Sequence, residues 1–399
     1  MGLPTVAAAA LRNRHTKPAD STLFQSPGCT IPSLDFLDPT IRNLVEYPAD
    51  EKCPNEAYPL LGSNETHIWV INETKGVIDL KGYGKTSDKM LLNVLAMLVG
   101  KNVEELQKTC WPSPIARLDR CPFIWDRFKD VGYYTALLED SARFSIYETL
   151  LKKLSNSGYL NDTFLILVSD EGIKSGDIRK RKQGRLEQRL PFLYILPPTS
   201  LRKKFSLAYE NLKENAERLT TPYDLYNTLI DLLDLSAIKN EEVLLRNEIT
   251  HYHDKSVSLF LQIPDNRTCQ SADINKYLCG CVQSSRISNQ TSESRGAASF
   301  LVRHLNEILG SYPQCARLAL ESILQAVEYT IPYESDKEWH DVTVVVRVKP
   351  GGGVFEGTMR HYKDGDWTML SPVSRFNMYS ELSFCVKQYW LKMYCYCLL

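Results

Sequence analysis

The sequence predicts an α/β fold, with a layered α/β core followed by a smaller α+β unit. Three observations carry this. Short apolar runs alternate with helical patterns between residues 76 and 235, which is the rhythm of strand–helix–strand units and of a largely parallel sheet. The stretch "FLILVSDEGIKSGD" at 164–177 is an apolar run ending in two carboxylates and a glycine loop. That pattern predicts a buried parallel strand delivering side chains to the carboxyl edge of a sheet, where ligands bind. After residue 300, Val342–Val348, Gly351–Gly353 and Val354–Met359 form two β-rich runs joined by a turn.

Four segments follow from this pattern. Residues 1–66 are proline-rich and weakly periodic, an extended arm tied down by Cys29 and Cys53. The α/β core spans 67–240 and opens with short strands at His67–Ile71 and Gly76–Leu80. A helix follows over 89–99, with Asp88 as its cap, Leu91, Leu92, Leu95, Ala96 and Leu98 as its apolar side, and Gly100 as its stop. Phe123–Phe128 reads as a short helix and Gly132–Leu138 as a strand. Phe144, Tyr147, Leu150, Leu151 and Leu154 recur at helical spacing before Gly158. Strands at 164–168 and 192–196 follow, then a helix from Pro222 to about Leu235 with Thr221 as N-cap. Residues 241–299 are polar and read as a linker, Ser/Asn-rich over 284–295. A cysteine-rich α+β unit occupies 300–399, with helices expected around 298–328.

Composition excludes some functions. A formal net charge of −1 with 24% charged residues gives no electrostatic reason to expect nucleic acid as a partner. No window of about 18 consecutive apolar residues exists, so no transmembrane helix is expected. The eleven cysteines are Cys29, Cys53, Cys110, Cys121, Cys269, Cys279, Cys281, Cys315, Cys385, Cys395 and Cys397. Their clusters flank a cysteine-free stretch from 122 to 268, as in a disulfide framework. Cys279-Gly-Cys281 and Cys395-Tyr-Cys397 have one residue between the cysteines, whereas zinc knuckles use about two to four. Such near neighbours are too strained to bond each other, so each should find a distant partner. We therefore expect a link from this cluster to Cys385, Cys395 or Cys397, and a separate Cys29–Cys53 link. An odd total leaves one thiol over. Five Asn-X-Thr sequons, at Asn64, Asn72, Asn161, Asn266 and Asn289, join the cysteines in pointing to the secretory pathway or the extracellular space. The first residues hold only a short run of alanines and no strong apolar segment, so an export signal is expected to be missing from this chain.

Several blocks carry a resemblance. They are Cys29–Pro32, Ser169-Asp170-Glu171-Gly172, Gly184–Pro191, Asn211-Leu212, Arg218–Asp224 and Thr228-Leu229. Further along come Arg267-Thr-Cys269, Cys279-Gly-Cys281, Phe355-Glu356, Ser374-Arg375, Asn377, Tyr379 and Tyr394–Cys397. In this order they resemble the sulfatase-like ectodomain family of unknown function within the alkaline phosphatase superfamily. The resemblance implies an α/β/α sandwich, here incomplete, with a site for two divalent metals. It also implies a Ser, Thr or modified Cys nucleophile at a helix start, and Asp and His ligands that include an Asp-His-Gly. Metals in such a site activate the nucleophile and clamp a phosphate or sulfate ester.

The chain departs from that pattern where chemistry is needed. Asp170-Glu171-Gly172 stands for Asp-His-Gly, and Met90 sits where a hydroxyl should be. A thioether cannot attack a phosphoryl or sulfuryl centre. Segments that should hold further ligands are absent upstream of Met90 and after Asp140, so the form is truncated as well as degraded at its site. The seven histidines are His15, His67, His251, His253, His304, His340 and His361, and none lies between 68 and 250.

What is left is a short set of candidates. Asp170 and Glu171 could bind one hard cation such as Mg²⁺ or Ca²⁺ through oxygen, or serve the following turn. Thr86 and Ser87 are the hydroxyls nearest the helix start, as nucleophiles or as loop and cap residues. His251 and His253 form a possible zinc pair or part of a solvated connection. Arg179–Lys182 with Arg185, and Arg202–Lys204, are basic loops that could take an anionic glycan. The expected function is that of a catalytically deficient member with a structural or binding role. The alternative is a metal-dependent phosphate or sulfate ester hydrolase with an atypical site.

Overall fold

The computed structural model describes residues 9–10, 22–32, 61–63, 67–70, 76–135, 153–154, 156–172, 181–250, 254–281, 283–330, 338–377, 379 and 381–398. The chain divides into two compact units, Met1–Cys281 and Val282–Leu399.

The first unit mixes short strands with helices, an α/β arrangement. Its strands are β1 (Ala9–Ala10), β2 (Thr22–Ser26), β3 (Cys29–Pro32), β4 (Leu61–Ser63), β5 (His67–Val70), β6 (Ile78–Asp79), β7 (Gly82–Tyr83), β8 (Leu165–Val168), β9 (Leu193–Leu196) and β10 (Leu219–Thr220). Its helices are α1 (Met90–Val99), α2 (Val103–Thr109), α3 (Ile124–Asp130), α4 (Lys182–Arg189), α5 (Thr199–Lys204), α6 (Ser206–Glu214), α7 (Pro222–Leu233) and α8 (Asn240–Ile249). Strands β6, β9 and β8 form one sheet, with both outer strands antiparallel to β9. Parallel pairing is confined to β10 with β7 and β1 with β5. The largely parallel sheet expected from the apolar runs is thus a set of mixed sheets among the described residues. An apolar run reports burial on both faces and is silent on direction. Direction is fixed here by the return of the chain at the same sheet edge. The Ser169 amide donates to Phe192 O at 3.0 Å, so α4 doubles back beside the strand it follows.

Helix α1 follows its sequence pattern. It ends at Gly100 in the left-handed region, φ 73°, whose amide donates to Ala96 O. Its start differs from expectation. Ser87 Oγ accepts the Lys89 amide at 3.2 Å, while Asp88 Oδ1 is taken by Lys85 Nζ at 3.2 Å. Asp88 therefore serves the buried Lys85 and does not cap. Helix α7 begins as expected, with Pro222 at its first turn and a reciprocal Thr221–Asp224 capping box. Residues 132–135 are not a strand, residues 136–138 of that expected strand lie outside the described residues, and so does most of the expected 144–154 helix. The polar stretch after residue 240 carries α8 and supplies Val257, Leu259, Phe260, Leu261 and Ile263 to the core shared with Leu193, Ile195, Leu212 and Leu225.

The second unit is an antiparallel sheet carrying one long helix, α9 (Ser292–Leu309). Its strands are β11 (Gln283–Ile287), β12 (Ala319–Thr330), β13 (Trp339–Lys349), β14 (Val354–Tyr362), β15 (Trp367–Met369) and β16 (Ser374–Arg375). They run in the order β11-β12-β13-β14-β15, and β16 pairs with β14. A short helix, α10 (Tyr389–Lys392), follows. The helical pattern expected to continue to 328 is corrected: α9 stops at Leu309 and β12 occupies 319–330. Two register shifts, between Leu320 and Ser322 and between Ile323 and Gln325, break the strand's alternation. They leave Leu320, Ile323 and Val327 at helix-like spacing in the sequence. Pairing with the valine run of β13 decides the conformation, since Val342, Val344, Val346 and Val348 form the core beneath α9 with Ala298, Leu301 and Leu305.

Five disulfides staple the described chain: Cys29–Cys281, Cys110–Cys121, Cys269–Cys279, Cys315–Cys395 and Cys385–Cys397. Cys281 and Cys395 find the distant partners expected, 252 and 80 residues away, whereas Cys279 and Cys397 bond cysteines only 10 and 12 residues away. The expected Cys29–Cys53 link is overturned. The β2–β3 turn sits on the segment before Cys269, where the Gly28 amide donates to Asp265 O at 3.1 Å. A Cβ at Gly28 would lie 2.3 Å from Arg267 O. That seating carries Cys29 to Cys281, and Cys53 lies outside the described residues.

Candidate functional site

The edge where β8 ends gathers the side chains that sequence pattern singled out. Ser169, Asp170 and Glu171 leave the strand in an irregular turn, with Ser169 Oγ donating to Glu171 O at 2.5 Å. Gly172 is then pressed against α4. A Cβ there would lie 1.8 Å from Glu187 O, so only glycine permits this close approach. Glu187 is half-buried in the same contact. Burial pushes its carboxyl above the ordinary value, opposed by the hydrogen bond from Gln183 Nε2.

Behind this turn stands Tyr83 of β7, a fully buried phenol. Burial raises its pKa first, and the charges of Asp170 and Asp224 raise it further. Asp224 in turn is the anchor of the region. Its carboxylate accepts the Thr221 amide at 2.7 Å and the Val257 amide at 2.7 Å. It also meets Arg267 in a bidentate pair at 2.8 and 3.0 Å. Both members are sealed from solvent. The pair ties the start of α7 to the 254–267 segment, which is a structural task. Sequence reading missed it because the partners are 43 residues apart.

The hydroxyl candidates lie on the loop between β7 and α1. Asn93, buried on α1, clamps that loop. Its Oδ1 accepts the Thr86 amide at 3.1 Å, the Thr86 hydroxyl at 3.4 Å and the Ser87 amide at 2.9 Å. Its Nδ2 donates to Ser87 O at 2.8 Å. Thr86 is buried and within reach of the Tyr223 phenol, while Ser87 Oγ accepts the Lys89 amide just before α1. Met90, the first residue of α1, is 44% exposed. A polar residue between Leu92 and Val94 in an otherwise apolar helix is the signal that could have found Asn93.

The remaining candidates fall in different places. Lys203 and Lys204 are exposed at the end of α5. His251, His253 and Arg179–Lys180 lie outside the described residues, and Arg185 is buried. Asn161 and Asn266 are exposed, the latter beside the inward-facing Arg267. Asn289 is half-buried with Nδ2 donating to Ile323 O, and Thr291 of its sequon caps α9. Asn64 and Asn72 lie outside the described residues.

For a metal, the described residues offer a clear contrast. Groups of three or more His, Cys, Asp or Glu able to converge on an ion are Cys269, Cys279, Cys281 and Cys315, Cys385, Cys395. Asp170 and Glu171 belong to neither. No described helix is long and apolar enough to cross a membrane. The profile of a family described as "Protein of unknown function (DUF229)" matches residues 68–149 and 145–324. The chain has no match among curated proteins.

Proposed function

Because the chain belongs to the DUF229 family of proteins of unknown function, we propose that it is a catalytically deficient, sulfatase-like member of the alkaline phosphatase superfamily with a structural or binding role. The single observation that supports this best is the clamp of Asn93 on the β7–α1 loop. The hydroxyls of Thr86 and Ser87 are engaged in holding that loop, and Met90 occupies the exposed start of α1. A nucleophile needs a free hydroxyl with an adjacent base or metal. Asp170 and Glu171 join no group of three His, Cys, Asp or Glu side chains among the described residues, and the sequence from 68 to 250 holds no histidine.

The five disulfides and the exposed Asn161 and Asn266 sequons support folding in the secretory pathway or outside the cell. For a binding role, the exposed Lys203 and Lys204 favour an anionic glycan as partner. The test is elemental analysis of full-length protein purified without reductant, followed by thermal melting with and without a chelator. The reading expects substoichiometric metal and a melting curve that the chelator leaves in place. One divalent ion per chain, lost in both Asp170→Ala and Glu171→Ala, would favour the hydrolase reading.

A further inference from the structure

The sheet of the second unit carries two imidazoles that the proposed function leaves unused. His340 of β13 and His361 of β14 are directly opposite partners in the antiparallel ladder, so their side chains share one face. Their ring centres are 5.0 Å apart and their planes cross at 85°. On its other side His361 is held by Trp367 of β15, stacked at 4.2 Å and 9°. Trp367 in turn lies against the start of α9, where a Cβ on Gly296 would be 3.0 Å from its indole. Both imidazoles are half-buried. Each keeps one enclosed nitrogen, Nε2 of His340 and Nδ1 of His361, with no hydrogen-bond partner among the described residues. Enclosed polar atoms are nearly always satisfied, so a pair of them on adjoining rings calls for a ligand.

The spacing of the rings decides which ligand they suit. Zinc takes imidazole nitrogens at about 2.0–2.1 Å in tetrahedral geometry, which sets the centres of two ligating rings about 5 Å apart. The observed separation has this value. We propose that His340 and His361 bind one borderline divalent cation of the Zn²⁺ class, through His340 Nε2 and His361 Nδ1, with water in the remaining positions. Each neutral ring carries its proton on the other nitrogen and offers a lone pair at these atoms.

The surrounding charge suits a cation. Glu293, in the first turn of α9, has its carboxyl held below the ordinary value by its own amide and the Ser292 hydroxyl, and then by the charges of His340 and His361. Asp364, in the turn after β14, is a second carboxylate within electrostatic range of His361. Together they offset the positive partial charge of the helix start. Glu293 and the two histidines are not among the three-residue groups whose ligand atoms lie within 4.8 Å. The carboxylate therefore acts from outside the ligand shell, as a charge and a partner for bound water. Two protein ligands hold an ion less tightly than a closed four-ligand site, so the ion exchanges with the medium and is lost on purification. When bound, it ties β13 to β14 and stabilises the second unit by mass action. The site is separate from the Asp170–Glu171 edge, which belongs to the first unit.

His304, which lies beside Glu307 on α9, supplies an internal control. Full-length protein purified without reductant is stripped with chelator, returned to plain buffer and titrated with Zn²⁺ by isothermal calorimetry. One ion should bind per chain and raise the melting temperature. Affinity should fall by about tenfold or more in His340→Gln and in His361→Gln. It should be unchanged in His304→Gln and in Asp170→Ala. In the parent, zinc should slow amide hydrogen exchange in β13, β14 and β15 while leaving α1 and α7 as they were, a readout that needs no variant to fold. Binding that survives in both His340→Gln and His361→Gln overturns the proposal, as does binding that disappears in Asp170→Ala. So does a parent that binds no zinc more tightly than about 1 mM, or one in which zinc leaves exchange in β13 and β14 unchanged.

Discussion

Asn93 illustrates how a single buried amide decides what neighbouring hydroxyls can do. Four hydrogen bonds to one side chain hold this loop, three at the backbone of Thr86 and Ser87 and one at the Thr86 hydroxyl. Asn93→Ala strands the buried Thr86 amide and the half-buried Ser87 amide, so we predict a loss of about 2–4 kcal/mol in urea unfolding. Ser87→Ala, which removes one exposed bond to the Lys89 amide, should lose about 1 kcal/mol or less. If the two variants were equally stable, the clamp would not be holding the loop. The Asp224–Arg267 pair makes a stronger demand. Asp224→Ala leaves a buried guanidinium uncompensated, and about 3–5 kcal/mol should be lost in the same measurement. Glu187 gives the pH dependence. Its carboxyl is raised above the ordinary value by burial, so the native state holds this proton more tightly than the unfolded chain does. That stabilisation is complete below the ordinary value of 4.5 and fades as pH rises through the raised native value. Glu187→Gln keeps the acceptor for Gln183. It should match the parent in acid and melt higher than the parent toward neutral pH, as followed by melting temperature against pH. A constant difference across that range would contradict the assignment.

At the level of elements, sequence pattern located most of what it could physically report. The α1 stripe, the Thr221–Pro222 helix start and the 164–168 and 192–196 runs carry their own local signals of period, capping and burial. Strand direction does not leave such a signal. The antiparallel course of β9 beside β8 depends on where α4 returns the chain, through the contact between Gly172 and Glu187. The identity of β12 was hidden by its two register shifts. Cys29 was assigned the nearest cysteine, because the seating of Gly28 against Asp265 and Arg267 is a contact across more than 200 residues. The candidate site was legible in residue type at Asp170, Glu171, Thr86 and Ser87. Asn93, which holds Thr86 and Ser87, and the Asp224–Arg267 pair at the start of α7 arise from tertiary contacts that spacing cannot reveal. Non-reducing peptide mapping should recover Cys29–Cys281 along with the other four links. Recovery of Cys29–Cys53 would contradict this arrangement of the arm.

On the scale of the whole molecule, two units each with its own core and its own paired disulfides suit a stable extracellular scaffold. A glycan-binding role predicts retention on a heparin column that weakens in Lys203→Glu/Lys204→Glu with no change in melting temperature. Elution of the parent in the flow-through at low salt would remove that partner from consideration. The central proposal is that this DUF229 member is a catalytically deficient relative of ester hydrolases. Its most direct measurement is turnover of aryl phosphate and aryl sulfate esters by the oxidised full-length protein, with Mg²⁺, Ca²⁺, Mn²⁺ or Zn²⁺ supplied. The account predicts rates that match buffer with metal alone and that Asp170→Ala leaves unchanged. Turnover well above that background, abolished by Asp170→Ala in a variant that melts normally, would contradict it.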